Sequence, residues 1–292
     1  MPAFSSIPRL DVAGTLRRYG LRPEKGLGQN FLQDADALER IALEAELSGG
    51  DTALEIGPGL GSLTRYLASA ARRVVAVELD ERLLPPLKEV LASYGNVEII
   101  RGDILKLSPA ALIGGGDFVV VANIPYYITS AVIRHLLDVM PREGDAPRPR
   151  RMVLTIQKEV AERICAAPGD LSLLALSVQV YGQPRITGVI PAGAFFPVPK
   201  VDSACLRVDM YPASLVTPEL LDWFFRVARA GFSQKRKTLR NSLAGGLHLK
   251  PPEVESLLRA ADIDPQRRAE TVSIDKWREL AEQVKLHSRK EP

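Results

Sequence analysis

Residues 52–61 read Thr-Ala-Leu-Glu-Ile-Gly-Pro-Gly-Leu-Gly. A short, mostly apolar run leads into three glycines spaced G-x-G-x-G, and a helix-like segment, Ser62–Ala70, follows. Glycine adopts left-handed backbone at little cost and lets the main chain approach a ligand that a Cβ would exclude. A strand, a glycine turn and a helix in this order open an α/β unit. Outward from it, further strands are expected at Arg73–Glu78, Val97–Ile100, Phe118–Ala122 and Met152–Ile156, with helices at Glu81–Ser93 and Ser130–Met140. Apolar strands alternating with helices predict a parallel sheet covered on both faces. Two more strands, Arg185–Ile190 and Ala204–Met210, have no long helix between them and predict an antiparallel pair at one sheet edge.

The glycine spacing differs from the G-x-G-x-x-G of most dinucleotide sites. Strand Arg73–Glu78 ends in a carboxylate, Glu78, able to accept both hydroxyls of a ribose. The next strand leads to Asp103, placed to accept from the amino group of an adenine ring. Open α/β sheets bind ligands at the carboxyl ends of their strands. Gly57, Glu78 and Asp103 together therefore describe a pocket for an adenosine without a phosphate requirement.

The fourth strand runs into Asn123-Ile124-Pro125-Tyr126-Tyr127. The amino nitrogen of adenine is a poor nucleophile because its lone pair is delocalised into the ring. The amide oxygen of Asn123 and the backbone carbonyl of Ile124 or Pro125 can accept its two hydrogens and localise that lone pair. Proline fixes the backbone, and Tyr126 can stack on a base swung out of its helix. No strong general base is required, since the methylated nitrogen becomes acidic. The histidines, His135, His248 and His287, sit in helical or tail contexts, and no convincing proton donor for nicotinamide chemistry stands near the glycine turn.

Six motifs occur in fixed order: GLGQNFL at 26–32, EIGPGLGSLT at 55–64, VVAVELD at 74–80, GDIL at 102–105, NIPYYIT at 123–129 and FFPVPKVDSA at 195–204. In this order they resemble the ribosomal RNA adenine N6-dimethyltransferases, the small-subunit (16S) enzymes more than the erythromycin-resistance enzymes, from Lys25 to about Trp277. The resemblance implies a Rossmann-like class I methyltransferase fold, with a seven-stranded sheet and a small C-terminal all-helical domain. It implies S-adenosylmethionine as cofactor, with Gln29, Asn30 and Leu32 covering it and Gly57 against its methionine part. Glu78 would then hold the ribose, Asp103 and Ile104 the adenine, and Asn123 both cofactor and target base, with Gly59 and Leu79 in the same site. Phe195 or Phe196 would face Tyr126 across the base. Many members read Asn-Leu-Pro-Tyr-Asn where this chain has Tyr127, which bears on the shape of the base pocket.

After a break at Tyr211–Thr217 the chain reads as helices only, near Pro218–Gly231, Lys235–Ala244, Pro252–Ala261 and Ile274–Leu286, giving a methyltransferase domain over 1–211 and a helical RNA-binding domain over 212–292. Net charge is only +3, but residues 226–240, RVARAGFSQKRKTLR, hold six cations and no acid. Such a block attracts phosphates. Arg229, Lys235, Arg236, Lys237 and Arg240 are the candidate RNA contacts, at a basic helix start. The stretches 232–243 and 268–273 resemble small-subunit signatures, implying two adjacent adenines in a 3′-terminal hairpin loop of 16S rRNA, within an immature 30S-type particle.

Competing readings are a large-subunit enzyme of the macrolide-resistance type, an assembly factor with incidental activity, a DNA adenine methyltransferase and a nicotinamide oxidoreductase. With 46% hydrophobic and 25% charged residues the chain is not broadly disordered. Cys165 and Cys205 lie in apolar stretches without metal-ligand spacing, and no metal is expected. The absence of a signal-like or bilayer-spanning run leads us to expect a soluble, cytoplasmic protein without membrane contact, and a monomer is expected.

Overall fold

The computed structural model describes Phe4, residues 7–137 and residues 147–288. It forms two compact units, Met1–Ala161 with Gln183–Met210, and Glu162–Gly182 with Tyr211–Pro292. In chain order the first unit begins with α1 (Val12–Arg18), β1 (Phe31–Leu32), α2 (Ala35–Glu44), β2 (Thr52–Ile56), α3 (Thr64–Ala70) and β3 (Arg73–Glu78). It continues with α4 (Leu84–Val90), β4 (Val97–Arg101), α5 (Pro109–Ile113), β5 (Phe118–Asn123), α6 (Thr129–Leu137) and β6 (Pro149–Gln157). Helix α7 (Lys158–Ile164) then leads out of this unit, α8 (Leu173–Gln179) belongs to the second, and the chain returns to the first with β7 (Gly182–Ile190), β8 (Phe195–Phe196) and β9 (Ser203–Met210). Residues 138–140 of the expected helix and 141–146 of the loop after it lie outside the described residues.

Seven strands make one sheet in the order β4-β3-β2-β5-β6-β9-β7. The pairs β2–β3, β2–β5, β3–β4 and β5–β6 are parallel, whereas β6–β9 is antiparallel. Every residue of β2 is buried, as expected for a central strand with both faces covered. The chain leaves β2 first toward β3 and later returns on its other side as β5, so the winding direction reverses between β2 and β5. A reversal of this kind opens a crevice at the carboxyl ends of the two strands. The glycine turn after β2 and Asn123 at the end of β5 both stand there.

A second, two-stranded antiparallel sheet pairs Phe31 with Phe196 and Leu32 with Phe195. Helix α1, capped by the Asp11 carboxylate accepting from Gly14 N at 2.8 Å, buries Val12 and Leu16 against Phe31, Leu60 and Leu83. Burial of each such side chain contributes about 1.5–3 kcal/mol. The N-terminal arm is thus packed against the loop that follows β2.

The second unit carries α9 (Pro218–Phe232), α10 (Leu239–Leu247), α11 (Pro251–Ala260) and α12 (Ile274–Ser288). It also contains residues 162–182, which a single cut at 211 assigns to the sheet domain. Gly169 N and Leu171 N both donate to the Glu270 carbonyl, at 2.9 and 3.2 Å. The 268–273 stretch thereby holds this segment within the helical unit. Sequence periodicity does not carry such a long-range pairing. Helix α10 starts at Leu239, not Lys235. Three adjacent cations at a helix N-terminus would oppose the helix dipole, and residues 233–238 form the connection to α10 instead. No helix among the described residues is long and apolar enough to cross a membrane.

Candidate functional site

The crevice between β2 and β5 is a cleft open to solvent, and it lies entirely within the first unit. Gln29, Asn30, Leu32, Gly57, Gly59, Glu78, Leu79, Asp103, Ile104, Asn123, Pro125 and Tyr126 all line it. These residues come from the loop before β1, the turn after β2 and the carboxyl ends of β3, β4 and β5.

Gly57, Gly59 and Gly61 all have left-handed backbone. A Cβ built on Gly57 would meet nothing nearer than the Asn123 carbonyl at 3.9 Å, so the bare backbone there faces open cleft. The turn is clamped from the side. Glu78, 6% exposed, accepts from Gly59 N at 3.0 Å and from Asp80 N at 2.8 Å. Burial pushes its carboxyl above the ordinary range, opposed by these backbone bonds. Each carboxylate oxygen retains a lone pair for a further donor.

Gln29 spends both ends of its amide on structure, donating to Asp80 Oδ2 at 2.8 Å and accepting from Glu24 N at 2.8 Å. It therefore staples the loop over the cleft to the exit of β3. Asp80 is in turn ion-paired to Arg82 at 2.7 Å. Asp103 caps the turn after β4 through Leu105 N at 3.1 Å.

The Asn123 amide is oriented by a distant partner. Its Nδ2 donates to the Asn30 carbonyl at 2.9 Å. A carbonyl can only accept, so this bond fixes which end is nitrogen and leaves Oδ1, unpartnered among the described residues, as an acceptor. The two backbone carbonyls that could assist it differ. Pro125 O accepts from Ile128 N at 3.1 Å, whereas Ile124 O has no partner among the described residues. The Ile124 amide is tied to Thr155 O at 3.1 Å, which locks the peptide. Tyr126 is half-buried, and its hydroxyl shares a hydrogen bond with Ser203 Oγ at 2.8 Å. Burial raises its phenol above the ordinary value, which the Ser203 bond partly offsets, so it stays neutral.

Neither Phe195 nor Phe196 lines the cleft. Phe195 is 1% exposed in the core under the sheet, which corrects its expected role as a stacking face: its partner positions in the mini-sheet turn it inward. Phe196 is partly buried against the α1 cluster. Glu55 and Tyr127 also line the cleft. Glu55, near the end of β2, is 2% exposed with Oε2 unpartnered among the described residues, and burial raises its carboxyl to about 8. Tyr127 stands at the rim, 60% exposed. The sequence shows both residues but neither environment, because Glu55 reads as one more strand residue.

In the second unit Arg229 is exposed in the last turn of α9, and Lys235, Arg236 and Lys237 are exposed in the connection that follows. Arg240, the fifth candidate, is partly exposed and ion-paired, its Nε lying 2.5 Å from Glu255.

Residues 21–285 match the model of a family described as ribosomal RNA adenine dimethylase. The chain is 48% identical over 263 residues to ribosomal RNA small subunit methyltransferase A of Dehalococcoides mccartyi, covering 90% of this chain and 88% of that one. It is 41% identical over 283 residues to the protein of the same name from Bacillus cereus, covering 93% and 94%. Among solved structures it resembles a dimethyladenosine transferase from Plasmodium falciparum, with TM-score 0.73 and 25% identity over 88% of this chain and 98% of that one. It also resembles the 23S rRNA methyltransferase ErmE, with TM-score 0.68 and 30% identity over 88% and 100%.

Proposed function

Because the chain belongs to the ribosomal RNA adenine dimethylase family, we propose that it dimethylates the N6 amino groups of two adjacent adenines in a 3′-terminal hairpin loop of small-subunit (16S) rRNA. S-adenosylmethionine, when bound, supplies the methyl group from its sulfonium. The cleft residues fit an adenosine-bearing cofactor: bare glycine backbone at Gly57, a buried carboxylate at Glu78 with lone pairs to spare, and Asp103 and Ile104 at the end of β4.

One observation carries the reading, the fixed orientation of Asn123. Its Oδ1 and the unpartnered Ile124 carbonyl make two acceptors for the two hydrogens of an adenine amino group. Accepting both draws the nitrogen lone pair out of conjugation and holds it in one direction. The Tyr126 ring, anchored through Ser203, supplies a stacking face, and base–aromatic stacking contributes about 1–3 kcal/mol. The phenol is neutral and no histidine lines the cleft, so the proton released after transfer passes to water.

Arg229, Lys235, Arg236 and Lys237 bind the phosphates of folded RNA through counterion release. The substrate is the RNA within an immature 30S-type particle, where the loop presents unstacked bases. The protein acts as a monomer in the cytoplasm, where subunits assemble, and methylation accompanies late assembly. Support for the small-subunit branch is the 41–48% identity to relatives carrying that name.

The test uses tritiated S-adenosylmethionine with unmethylated small subunits, naked small-subunit RNA and protein-free large-subunit RNA, followed by nucleoside analysis. Dimethyladenosine in small subunits, two methyl groups on each of two adenines, is the expected result. Label confined to large-subunit RNA would overturn the substrate assignment. No label in any of the three would overturn the catalytic one.

A further inference from the structure

Tyr126 and Tyr127 are consecutive in a short 3-10 turn, Tyr126–Ile128, at the exit of β5. Successive side chains in such a turn diverge by about 120°. Two neighbouring rings so placed cannot cover the same base in parallel. Tyr126 points inward, half-buried and bonded to Ser203. Tyr127 stands on the rim of the same cleft with 60% of its surface exposed.

The Tyr127 ring has a dedicated seat. Gly28 has φ +61°, and a Cβ built there would lie 3.1 and 3.2 Å from Tyr127 Cδ1 and Cε1. The ring therefore packs on bare backbone, with Pro125 beside it, while the rest of its surface is open to solvent. The seat is rigid: Gly28 N donates to Lys25 O at 3.0 Å, and Gly28 O accepts from Asn30 Nδ2 at 3.1 Å. Asn30 O is the group that orients Asn123. The platform and the catalytic amide are thus built on the same six-residue loop. Lys25, on that loop, is exposed and has no ion-pair partner among the described residues.

We propose that Tyr127 is the stacking platform for the nucleotide adjacent to the target, holding one of the two adenines outside the cleft while the other is methylated, with Lys25 against the intervening phosphate. A purine gains the most from such a surface, because stacking grows with the overlap of the rings. This assignment rests on the proposed substrate, in which each target adenine has an adenine neighbour.

The test is a cycle of enzyme and RNA changes. Tyr127→Ala and Tyr127→Phe are assayed on small subunits reassembled with intact RNA, and on subunits carrying an abasic nucleotide at one of the two adenine positions. On intact RNA, Tyr127→Ala should lower kcat/KM on the order of 10- to 100-fold. Tyr127→Phe should stay near wild type, and cofactor affinity measured by calorimetry should be unchanged in both. With the abasic neighbour the wild-type enzyme should fall by a similar factor and Tyr127→Ala no further. Equal losses for both enzymes on abasic RNA, or full activity of Tyr127→Ala on intact RNA, would sink the platform while leaving the small-subunit reading in place. A wild-type enzyme inactive on intact small subunits would overturn that reading and this assignment with it.

Discussion

Glu55 offers a sharp physical test of the cleft. It lies next to the last residue of the central strand β2, is 2% exposed, and its Oε2 has no hydrogen-bond partner among the described residues. Burial raises its carboxyl from 4.5 to about 8, with Glu78 pushing the same way and Thr64 opposing. A carboxyl whose folded value is raised binds its proton more tightly in the native state than in the unfolded chain. Its contribution to stability is therefore complete below pH 4.5 and is lost as pH rises through about 8. Each pH unit between the two values costs about 1.4 kcal/mol, so the loss at pH 7 relative to acid is about 3 kcal/mol. Glu55→Gln keeps the shape and cannot ionise. The difference in unfolding free energy between the variant and the wild type, from urea titrations, should grow in favour of the variant by about 3 kcal/mol between about pH 5 and pH 8. Parallel curves across that window would refute the reasoning, because they would mean that Glu55 is ionised and solvated in the folded protein.

Glu78→Gln should weaken S-adenosylmethionine binding on the order of 100-fold, since hydrogen bonds to a charged group contribute about 1.5–3 kcal/mol each; unchanged calorimetric affinity would remove Glu78 from the ribose site. Both variants also loosen the turn, since glutamine leaves one acceptor oxygen for the Gly59 and Asp80 amides and Glu78→Ala leaves none. Tyr126→Ala should cut turnover on the order of 10- to 100-fold at nearly unchanged cofactor affinity, and Tyr126→Phe, which loses only the Ser203 bond, about 5-fold; wild-type turnover in the alanine variant would exclude stacking there. Replacing Lys235, Arg236 and Lys237 with alanine should weaken small-subunit binding and flatten its salt dependence by about one unit of slope per cation. Arg240→Ala should leave that slope intact, its charge being engaged by Glu255, and an equal change in slope would show that the ion pair opens on RNA.

The central strands were legible because they are short apolar runs between turn residues, and β2 and β3 fall at Thr52–Ile56 and Arg73–Glu78 as their composition requires. Other features depend on groups far away in sequence. The family resemblance makes Phe195 or Phe196 a stacking face, yet the pairing of Phe195 opposite Leu32 puts it in the core. Arg240 reads as one cation in a basic run until Glu255 is seen beside it, and residues 162–182 read as part of the sheet domain until Glu270 is found holding them. Asn123 shows the division within a single side chain. Its position after β5 and before Pro125 names the chemistry, because few other uses exist for that sequence. Which of its two amide atoms is free to accept from an adenine is decided by the carbonyl of Asn30, 93 residues earlier. For Asn123 the chemistry is therefore written locally, while the hydrogen bond that aims it comes from the loop before β1. Substitutions in that loop should alter catalysis without touching substrate.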